Sequence, residues 1–172
     1  MKKLFIRLLT VALLPALVAC GFHLRGSIDL PPEWKTLHLS TVSPNSELSR
    51  ELRASFEAND IQWLGRAQAA YTLQVGAEIS ERRNLTIGKD AKAAEFELTL
   101  STTLRVIDRE GNEIMALATI TTHKVMTSDP ENITGKVEEA RLLRREMRRS
   151  LVRQIMRQIR FLATNPNRSQ TS

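Results

Sequence analysis

Residues 96–106 read FELTLSTTLRV, and this stretch decides the fold. Its even-numbered positions carry apolar side chains with one threonine among them, and its odd-numbered positions are all polar. Side chains alternate between the two faces of a β-strand, so a period of two predicts a strand with one buried face and one solvated face. A sheet that is covered on one side only is typical of antiparallel pairing.

The same period of two recurs in neighbouring segments. Residues 71–79 alternate cleanly, and residues 114–120 alternate less cleanly. Residues 108–112 (DREGN) predict a tight hairpin turn between the last two strands. A further short strand is predicted for residues 35–42, where leucines alternate with other side chains. The chain is therefore expected to contain four strands.

Two other segments show helical spacing. Residues 43–46 (SPNS) form a helix-start signal, and apolar side chains then recur at helical spacing to about Ala58. A longer helix is predicted from residues 128–130 (SDP) to about Leu162, with an apolar stripe along one side. Residues 35–163 are therefore expected to form a single α+β domain. Its predicted architecture is a two-layer sandwich, with two helices packed on one face of a four-stranded, mainly antiparallel sheet.

The N-terminus has the features of an export signal. Residues 1–19 contain three basic side chains and no acid, and they include an apolar run at residues 8–18 that Pro15 interrupts. This run has about half of the ~20 apolar residues that a membrane-spanning helix needs. Residues 1–19 are therefore predicted to be a signal peptide and not a retained transmembrane helix.

Cys20 makes this prediction more specific. It is the only cysteine in the chain, and it follows Leu17, Val18 and Ala19 in an arrangement that resembles the bacterial lipobox. We therefore expect cleavage before Cys20 and a diacylglyceryl group on its thiol. The alternative is an ordinary signal peptide with a chance cysteine. Lipid on the sole thiol would also explain an exported protein without a disulfide.

The residue after Cys20 bears on sorting between membranes. It is Gly21, whereas aspartate at this position resembles the inner-membrane retention signal of Gram-negative lipoproteins. The expected location is therefore the periplasmic side of the outer membrane, with anchoring through the N-terminal lipid. Residues 20–34 are expected to be a lipidated tether, and residues 164–172 are expected to be a mobile polar tail.

The sequence contains no motif that is typical of catalysis or metal binding. His23, His38 and His123 are far apart in sequence, and nucleophile, zinc and phosphate-loop motifs are absent. Glu95 and Glu97 lie two residues apart on a predicted strand, where a solvated face explains them better than a catalytic carboxylate pair. The chain is therefore expected not to be an enzyme and to use no metal or cofactor.

Positive charge is concentrated in the second helix. The formal net charge is +6, and residues 136–160 contain nine basic and three acidic side chains. Four arginines form a ladder at a spacing of four residues: Arg145, Arg149, Arg153 and Arg157. Like charges at this spacing destabilise a helix by ~0.2–0.5 kcal/mol per pair. The ladder is either a solvated helix face or a surface that contacts anions, such as lipid phosphates or acidic residues of a partner. Export to the periplasm argues against nucleic acid as that partner.

A second group of cations surrounds the predicted loop at residues 84–92. The loop contains Lys89 and Lys92, and Arg82 and Arg83 come just before it. These cations could bind a polyanion, or they could simply make an exposed loop soluble. Lys136 precedes the amphipathic part of the second helix and could lie near either group, because the sequence alone does not place it.

Residues 20–26 read CGFHLRG, and this start of the mature chain is similar to the start of the LPS-assembly lipoprotein family LptE. Ala94, Glu95 and Phe96 also resemble the family pattern, and the order of predicted elements matches it over nearly the whole mature chain. The resemblance implies a lipoprotein that plugs the β-barrel protein LptD and binds lipopolysaccharide. It also implies help in folding LptD and in placing lipopolysaccharide in the outer leaflet.

The resemblance also implies which cations touch lipopolysaccharide. Lys89 and Lys136 fall near the cations that contact it in the family, and Arg83 and Lys92 are further candidates. The arginine ladder is heavier than the family pattern leads us to expect, so the surface that contacts anions could differ. The alternative is a lipoprotein accessory or scaffold of a different envelope assembly complex. An enzyme acting on envelope polymers would have only His123 and Glu95 as loose catalytic candidates.

Overall fold

The computed structural model describes residues 30–87, 93–127 and 132–165. The predicted signal peptide, Cys20, Lys89, Lys92 and residues 166–172 lie outside the described residues. The helices are α1 (Glu47–Glu57) and α2 (Ile133–Thr164), and a 3-10 turn covers Pro32–Lys35. The strands are β1 (Thr36–Thr41), β2 (Gln62–Trp63), β3 (Tyr71–Val75), β4 (Ile79–Ile87), β5 (Ala93–Asp108) and β6 (Glu113–Thr127).

Both helices begin at a side-chain cap. The hydroxyl of Ser46 accepts a hydrogen bond from the backbone N–H of Ser49 at 3.1 Å. The amide oxygen of Asn132 accepts one from the backbone N–H of Gly135 at 3.0 Å. Such caps satisfy backbone donors that have no partner in the first turn of a helix. The two predicted helices are thus confirmed, and the first begins within one residue of its predicted start.

β5 is the central strand of the sheet. One of its edges pairs antiparallel with β6, and its other edge pairs antiparallel with β4 and then with β3. β1 pairs with β3, and the two-residue strand β2 pairs with β1. Strand β5 therefore holds together both halves of a six-stranded sheet.

The segment predicted as one strand at residues 71–79 is two strands with an interruption at residues 76–78. The backbone N–H of Gly76 donates to the carbonyl of Thr103 at 2.9 Å, and the Thr102 hydroxyl donates to the Gly76 carbonyl at 3.0 Å. A Cβ at position 76 would collide with the Thr103 hydroxyl. Glycine is therefore required where the chain changes from β3 to β4.

The prediction of four mainly antiparallel strands was wrong in its strand count and for β1. The sheet has six strands, and β1 runs parallel to both β2 and β3. Parallel neighbours need a crossover connection, and α1 supplies it by carrying the chain back to the start of the sheet. Part of the predicted loop is also strand, because β4 continues to Ile87 along the long edge of β5.

A single core joins the two layers. The even-numbered residues of β5 from Phe96 to Val106 are all buried, and the five apolar ones belong to the same core cluster as residues of both helices. From α1 the core receives Leu48, Leu52 and Phe56, and from α2 it receives Met147, Leu151, Val152, Ile155, Met156, Ile159 and Ala163. Leu30 and Trp34 are also buried, and the Trp34 ring stacks on Tyr71 with centroids 4.0 Å apart. The folded part of the chain therefore begins before residue 35.

Candidate functional site

Lys136 lies at one end of the sheet. Its Nζ is 3.2 Å from the hydroxyl of Thr127, the last residue of β6, and 2.8 Å from a carboxylate oxygen of Glu139. Thr127 pairs across the sheet with Glu95 of β5, which in turn pairs with Thr86 of β4. Neighbouring strands are about 4.8 Å apart, so Thr86 and Thr127 are separated by about 10 Å.

This position answers the question that the sequence left open. β4 ends at Ile87 and β5 begins at Ala93, and both lie at the same end of the sheet that Lys136 reaches. Lys136 therefore lies at the end of the sheet where β4 ends and β5 begins, and not beside Arg149, Arg153 and Arg157. We call this region, with Arg83 and Lys136 as its described cations, the sheet-end site.

Two neighbouring arginines of β4 have different surroundings. The guanidinium of Arg82 lies 3.7 Å from the ring centroid of Phe96, whereas Arg83 makes a 3.4 Å ion pair with Glu97. The Arg82 contact is a cation–π interaction with a buried ring. The Arg83 side chain is 73% exposed, and an exposed pair of this kind contributes only about 0–1 kcal/mol. Arg83 is therefore the arginine that could exchange its partner for a stronger anion.

An open cleft of about 580 Å³ adjoins Arg83. It is lined by Glu81, Arg82, Arg83, Glu97 and Thr99. Glutamates also lie beside Lys136, so the sheet-end site carries cations and anions together. An ion pair at an exposed surface exchanges readily, and phosphate oxygens form strong charge-assisted hydrogen bonds with guanidinium and ammonium groups. This chemistry suits capture and release of a phosphorylated ligand.

The arginine ladder divides into two parts. Arg145 and Arg149 make long ion pairs, at 3.8 Å with Glu138 and at 3.5 Å with Glu51 of α1. Arg153 and Arg157 are exposed, and no acidic side chain in residues 30–87, 93–127 or 132–165 lies within 4.0 Å of their charged nitrogens. The ladder is therefore not one uniform surface, because only its first half adjoins α1.

Arg148 is the best-connected arginine, and the sequence did not single it out. Its Nε and one terminal nitrogen donate to the two carboxylate oxygens of Glu78 at 2.6 and 2.8 Å. Its other terminal nitrogen lies 2.6 Å from a carboxylate oxygen of Glu47, and its side chain is 11% exposed. The hydrogen bonds to Glu78 raise the pKa of Arg148, while burial opposes that shift. Arg148 thereby joins α2 to α1 and to the interruption between β3 and β4.

Two clefts lie beside Arg148, between the N-terminal part of α1 and the middle of α2. One has a volume of about 320 Å³ and is lined by Glu47, Arg50, Glu51, Ala54, Arg145, Arg148 and Arg149. The other has a volume of about 280 Å³ and is lined by Glu47, Arg141, Arg144, Arg145 and Arg148. We call the two together the interhelix groove.

The described part of the chain gives no support to catalysis. It contains no group of three or more His, Asp, Glu or Cys side chains placed to hold a metal ion. The Nδ1 atom of His38 is 3.0 Å from the carbonyl oxygen of Leu64, so this ring is engaged by the backbone. Glu97, one member of the possible carboxylate pair, is the partner of Arg83.

No helix within residues 30–87, 93–127 or 132–165 is long and apolar enough to cross a membrane. The described part of the chain is a small α+β module that presents cations at its surface, in the sheet-end site and in the interhelix groove. Residues 34–159 match the family model described as LptE: Lipopolysaccharide-assembly. The chain belongs to this family.

Relatives with established names agree with this assignment. The chain is 29% identical over 159 residues to the LPS-assembly lipoprotein LptE of Pectobacterium atrosepticum, covering 91% of this chain and 85% of that protein. It is 30% identical over 157 residues to the protein of the same name from Photorhabdus laumondii, covering 89% and 85%. Family membership confirms the resemblance drawn from the sequence. It also gives the chain a non-enzymatic role as a lipoprotein in lipopolysaccharide assembly.

Solved structures support the fold. Rare lipoprotein B from Shewanella oneidensis superposes with a TM-score of 0.68 at 23% identity, covering 76% of this chain and 97% of that one. A minor lipoprotein from Acinetobacter baumannii superposes with a TM-score of 0.61 at 28% identity, covering 74% and 91%. The six-stranded sheet with two helices is therefore a fold shared with other bacterial lipoproteins.

Proposed function

We propose that this chain is a lipid-anchored lipoprotein on the periplasmic side of the outer membrane that plugs the β-barrel protein LptD. In this role it binds lipopolysaccharide, assists its assembly into the outer leaflet and helps LptD to fold. Membership of the lipopolysaccharide-assembly family supports the general role. The observation that carries the binding step is the position of Lys136 at the same sheet end as the β4–β5 connection.

The two described cations of the sheet-end site come from separate parts of the chain. Arg83 comes from β4 and Lys136 comes from the first turn of α2. Lys89 and Lys92 fall between β4 and β5 in the sequence, and we propose that they contribute to the same site. Several phosphate contacts of this kind can hold a ligand although each exposed contact is weak, since each charge-assisted hydrogen bond adds to the others. Lipopolysaccharide, with its phosphorylated lipid head, provides such a ligand.

The outward face of β5 suits a plug. Its side chains are polar and half-buried at alternate positions: Glu97, Thr99, Ser101, Thr103 and Arg105. The interior of an outer-membrane barrel is polar, so a plug must present hydrogen-bonding side chains to that wall. The apolar face of the same strand is turned into the core, which leaves the polar face available for the wall.

The proposed anchor limits where the fold can work. Leu30, which is buried in the fold, lies ten residue steps after Cys20. A fully extended chain of this length spans at most about 35 Å. Two or three acyl chains would hold the protein firmly, since each buried CH₂ contributes about 0.8 kcal/mol. Leu30 would therefore stay within about 35 Å of the membrane surface.

Co-purification from outer membranes tests the proposal. The full chain, carrying a C-terminal affinity tag, is extracted in detergent, and LptD and lipopolysaccharide are quantified in the eluate. We expect LptD in a stoichiometric amount, and we expect Lys89→Asp combined with Lys136→Asp to lower the bound lipopolysaccharide by about tenfold or more. Lys35→Asp is the single-charge control, because Lys35 precedes β1 at the opposite end of the sheet.

The outcomes separate the parts of the proposal. Recovery without LptD, but with another envelope assembly complex, would refute the plug and favour the alternative function. Recovery of LptD with unchanged lipopolysaccharide in the lysine variants would refute the sheet-end site alone. Lys136→Asp is also measured alone, and a loss from Lys35→Asp equal to that from Lys136→Asp would mean that net charge, and not position, governs binding.

A further inference from the structure

The interhelix groove is strongly positive. Its lining contains six arginines, namely Arg50, Arg141, Arg144, Arg145, Arg148 and Arg149. The same lining contains two carboxylates, Glu47 and Glu51, so its formal charge is +4. The groove is formed by the helix layer, whereas the sheet-end site lies where β4, β5 and β6 end, so the two regions are distinct.

Arg148 forms the fixed base of the groove. Its side chain is largely buried, and its guanidinium is occupied by Glu78 and Glu47. Because those carboxylates come from the connection between β3 and β4 and from α1, they hold α2 at a set position relative to both. Arg148 thus shapes the groove, and the other arginines line it.

Three of those other arginines, Arg141, Arg144 and Arg145, lack strong partners among the described residues. Arg141 and Arg145 share the single carboxylate of Glu138 at 3.7 and 3.8 Å. Within the described ranges, Arg144 makes no ion pair and no side-chain hydrogen bond. Strong N–H···O bonds between charged groups are about 2.7–2.9 Å long, so much of the donor capacity of these three guanidiniums is unused.

The arrangement also opposes helix formation. Arg141 and Arg145, and Arg145 and Arg149, are like charges one turn apart, which destabilises a helix. An anion between them would reverse that effect. A phosphate dianion fits best, because it is compact and offers three acceptor oxygens to planar guanidiniums. An extended acidic peptide fits less well, because the exposed carboxylates of Glu47 and Glu138 would repel its acidic side chains.

We propose that the interhelix groove binds a phosphate dianion, with Arg144 and Arg145 as its principal ligands and Arg141 beside them. The dianion is either free inorganic phosphate or a phosphate monoester on a glycolipid. This site does not depend on LptD or on the sheet-end site. It would give the helix layer a second point of contact with phosphorylated molecules.

Calorimetric titration of the purified, lipidated chain in detergent tests this site. Three ligands are compared: inorganic phosphate, micelles of a bisphosphorylated glycolipid and micelles of the same glycolipid without phosphate. We expect Arg144→Gln with Arg145→Gln to weaken phosphate binding by about tenfold or more. Arg153→Gln with Arg157→Gln makes the same charge change on exposed parts of the same helix and should change binding by less than about twofold.

Each outcome supports or overturns the proposal. Binding of inorganic phosphate that is lost in the Arg144 and Arg145 variant supports a site for free phosphate. Binding of the phosphorylated glycolipid alone, lost in the same variant, supports a lipid headgroup as the ligand. Absence of binding, or an equal loss in both double variants, overturns the site. The Lys89→Asp and Lys136→Asp variant should keep its binding of inorganic phosphate at the groove, so failure of the groove and failure of the sheet-end site are told apart.

Discussion

Arg148 of α2 and Glu78, between β3 and β4, form a two-pronged ion pair with N–O distances of 2.6 and 2.8 Å. The two residues are 70 positions apart in sequence, and their side chains are 11% and 20% exposed. A guanidinium held at both its Nε and a terminal nitrogen has a fixed orientation. This pair therefore fixes α2 over the point where the sheet changes from β3 to β4.

Removal of the Arg148 guanidinium should destabilise the fold. Arg148→Met leaves the carboxylate of Glu78 largely buried without its partner, and breaking a buried pair in this way costs several kcal/mol. Because both side chains retain some contact with water, we expect a loss of about 2–3 kcal/mol in the free energy of unfolding. Urea unfolding followed by circular dichroism measures it.

Two further variants give this prediction its control. Arg153→Met changes an exposed arginine five residues along the same helix and should lie within about 0.5 kcal/mol of the parent. Glu78→Gln combined with Arg148→Met should recover part of the loss, because the buried charge is gone. A loss of less than about 0.5 kcal/mol in Arg148→Met would contradict the assigned role of the pair.

Gly76→Ala should also destabilise the protein. An added methyl group would collide with the Thr103 hydroxyl, and the β-branched threonine has little freedom to rotate away. We expect a loss of about 1–3 kcal/mol, as for other overpacked sites. Gly76→Ala combined with Thr103→Ala removes the clash and should recover most of the stability in the same unfolding measurement. If the double variant is no more stable than Gly76→Ala, the collision does not explain the glycine.

The alternating pattern at residues 96–106 predicted its own strand correctly, because alternation is a local consequence of strand geometry. Phe96, Leu98 and Leu100 are buried, and the residues between them are not. The parallel placement of β1 was not predicted, because it depends on which strands pair after α1 has crossed over. Strand β2 has only two residues, which is too short for any period to be visible.

The candidate site was predictable only in part. The sequence alone showed two groups of cations, one at residues 82–92 and one in the second helix. The position of Lys136 depends on its contact with β6, which the sequence does not show. The alternation at residues 71–79 puts Glu78 among the polar positions of that segment, which predicts a side chain that faces solvent. In the structure the interruption at residues 76–78 turns Glu78 toward Arg148. Arg148 is not one of the four ladder residues and its partner Glu78 is 70 positions away, so no local pattern marked it as the residue that joins the layers.

The single tyrosine gives a spectroscopic test of packing. Burial raises the pKa of Tyr71, and the nearby charges of Glu33, Asp108 and Glu110 raise it further. An unfolded tyrosine titrates near pH 10, so the folded chain should form tyrosinate only at higher pH. Ultraviolet absorbance of tyrosinate reports this residue alone, since the chain contains one tyrosine.

The same shift predicts how stability depends on pH. Below pH 10 the phenol is neutral in both states, and its full contribution to stability is present. As the pH rises from about 10 through the raised pKa of the folded state, the unfolded chain loses its proton first and the free energy of unfolding falls. Tyr71→Phe should lessen this decline. An absorbance midpoint equal to that of the urea-unfolded chain would contradict the burial of the phenol.

The proposed lipid anchor predicts a change of compartment. Cys20→Ala removes the only thiol, so the exported chain should carry no fatty acid and should be recovered in the soluble periplasmic fraction. Radiolabelled palmitate and membrane fractionation measure the two effects.

Gly21→Asp is the informative companion, because it keeps the thiol but introduces the residue that resembles an inner-membrane retention signal. It should leave labelling unchanged and move the protein from the outer to the inner membrane. Labelled Cys20→Ala would show that the lipid lies elsewhere, and an unmoved Gly21→Asp would show that sorting does not depend on that residue.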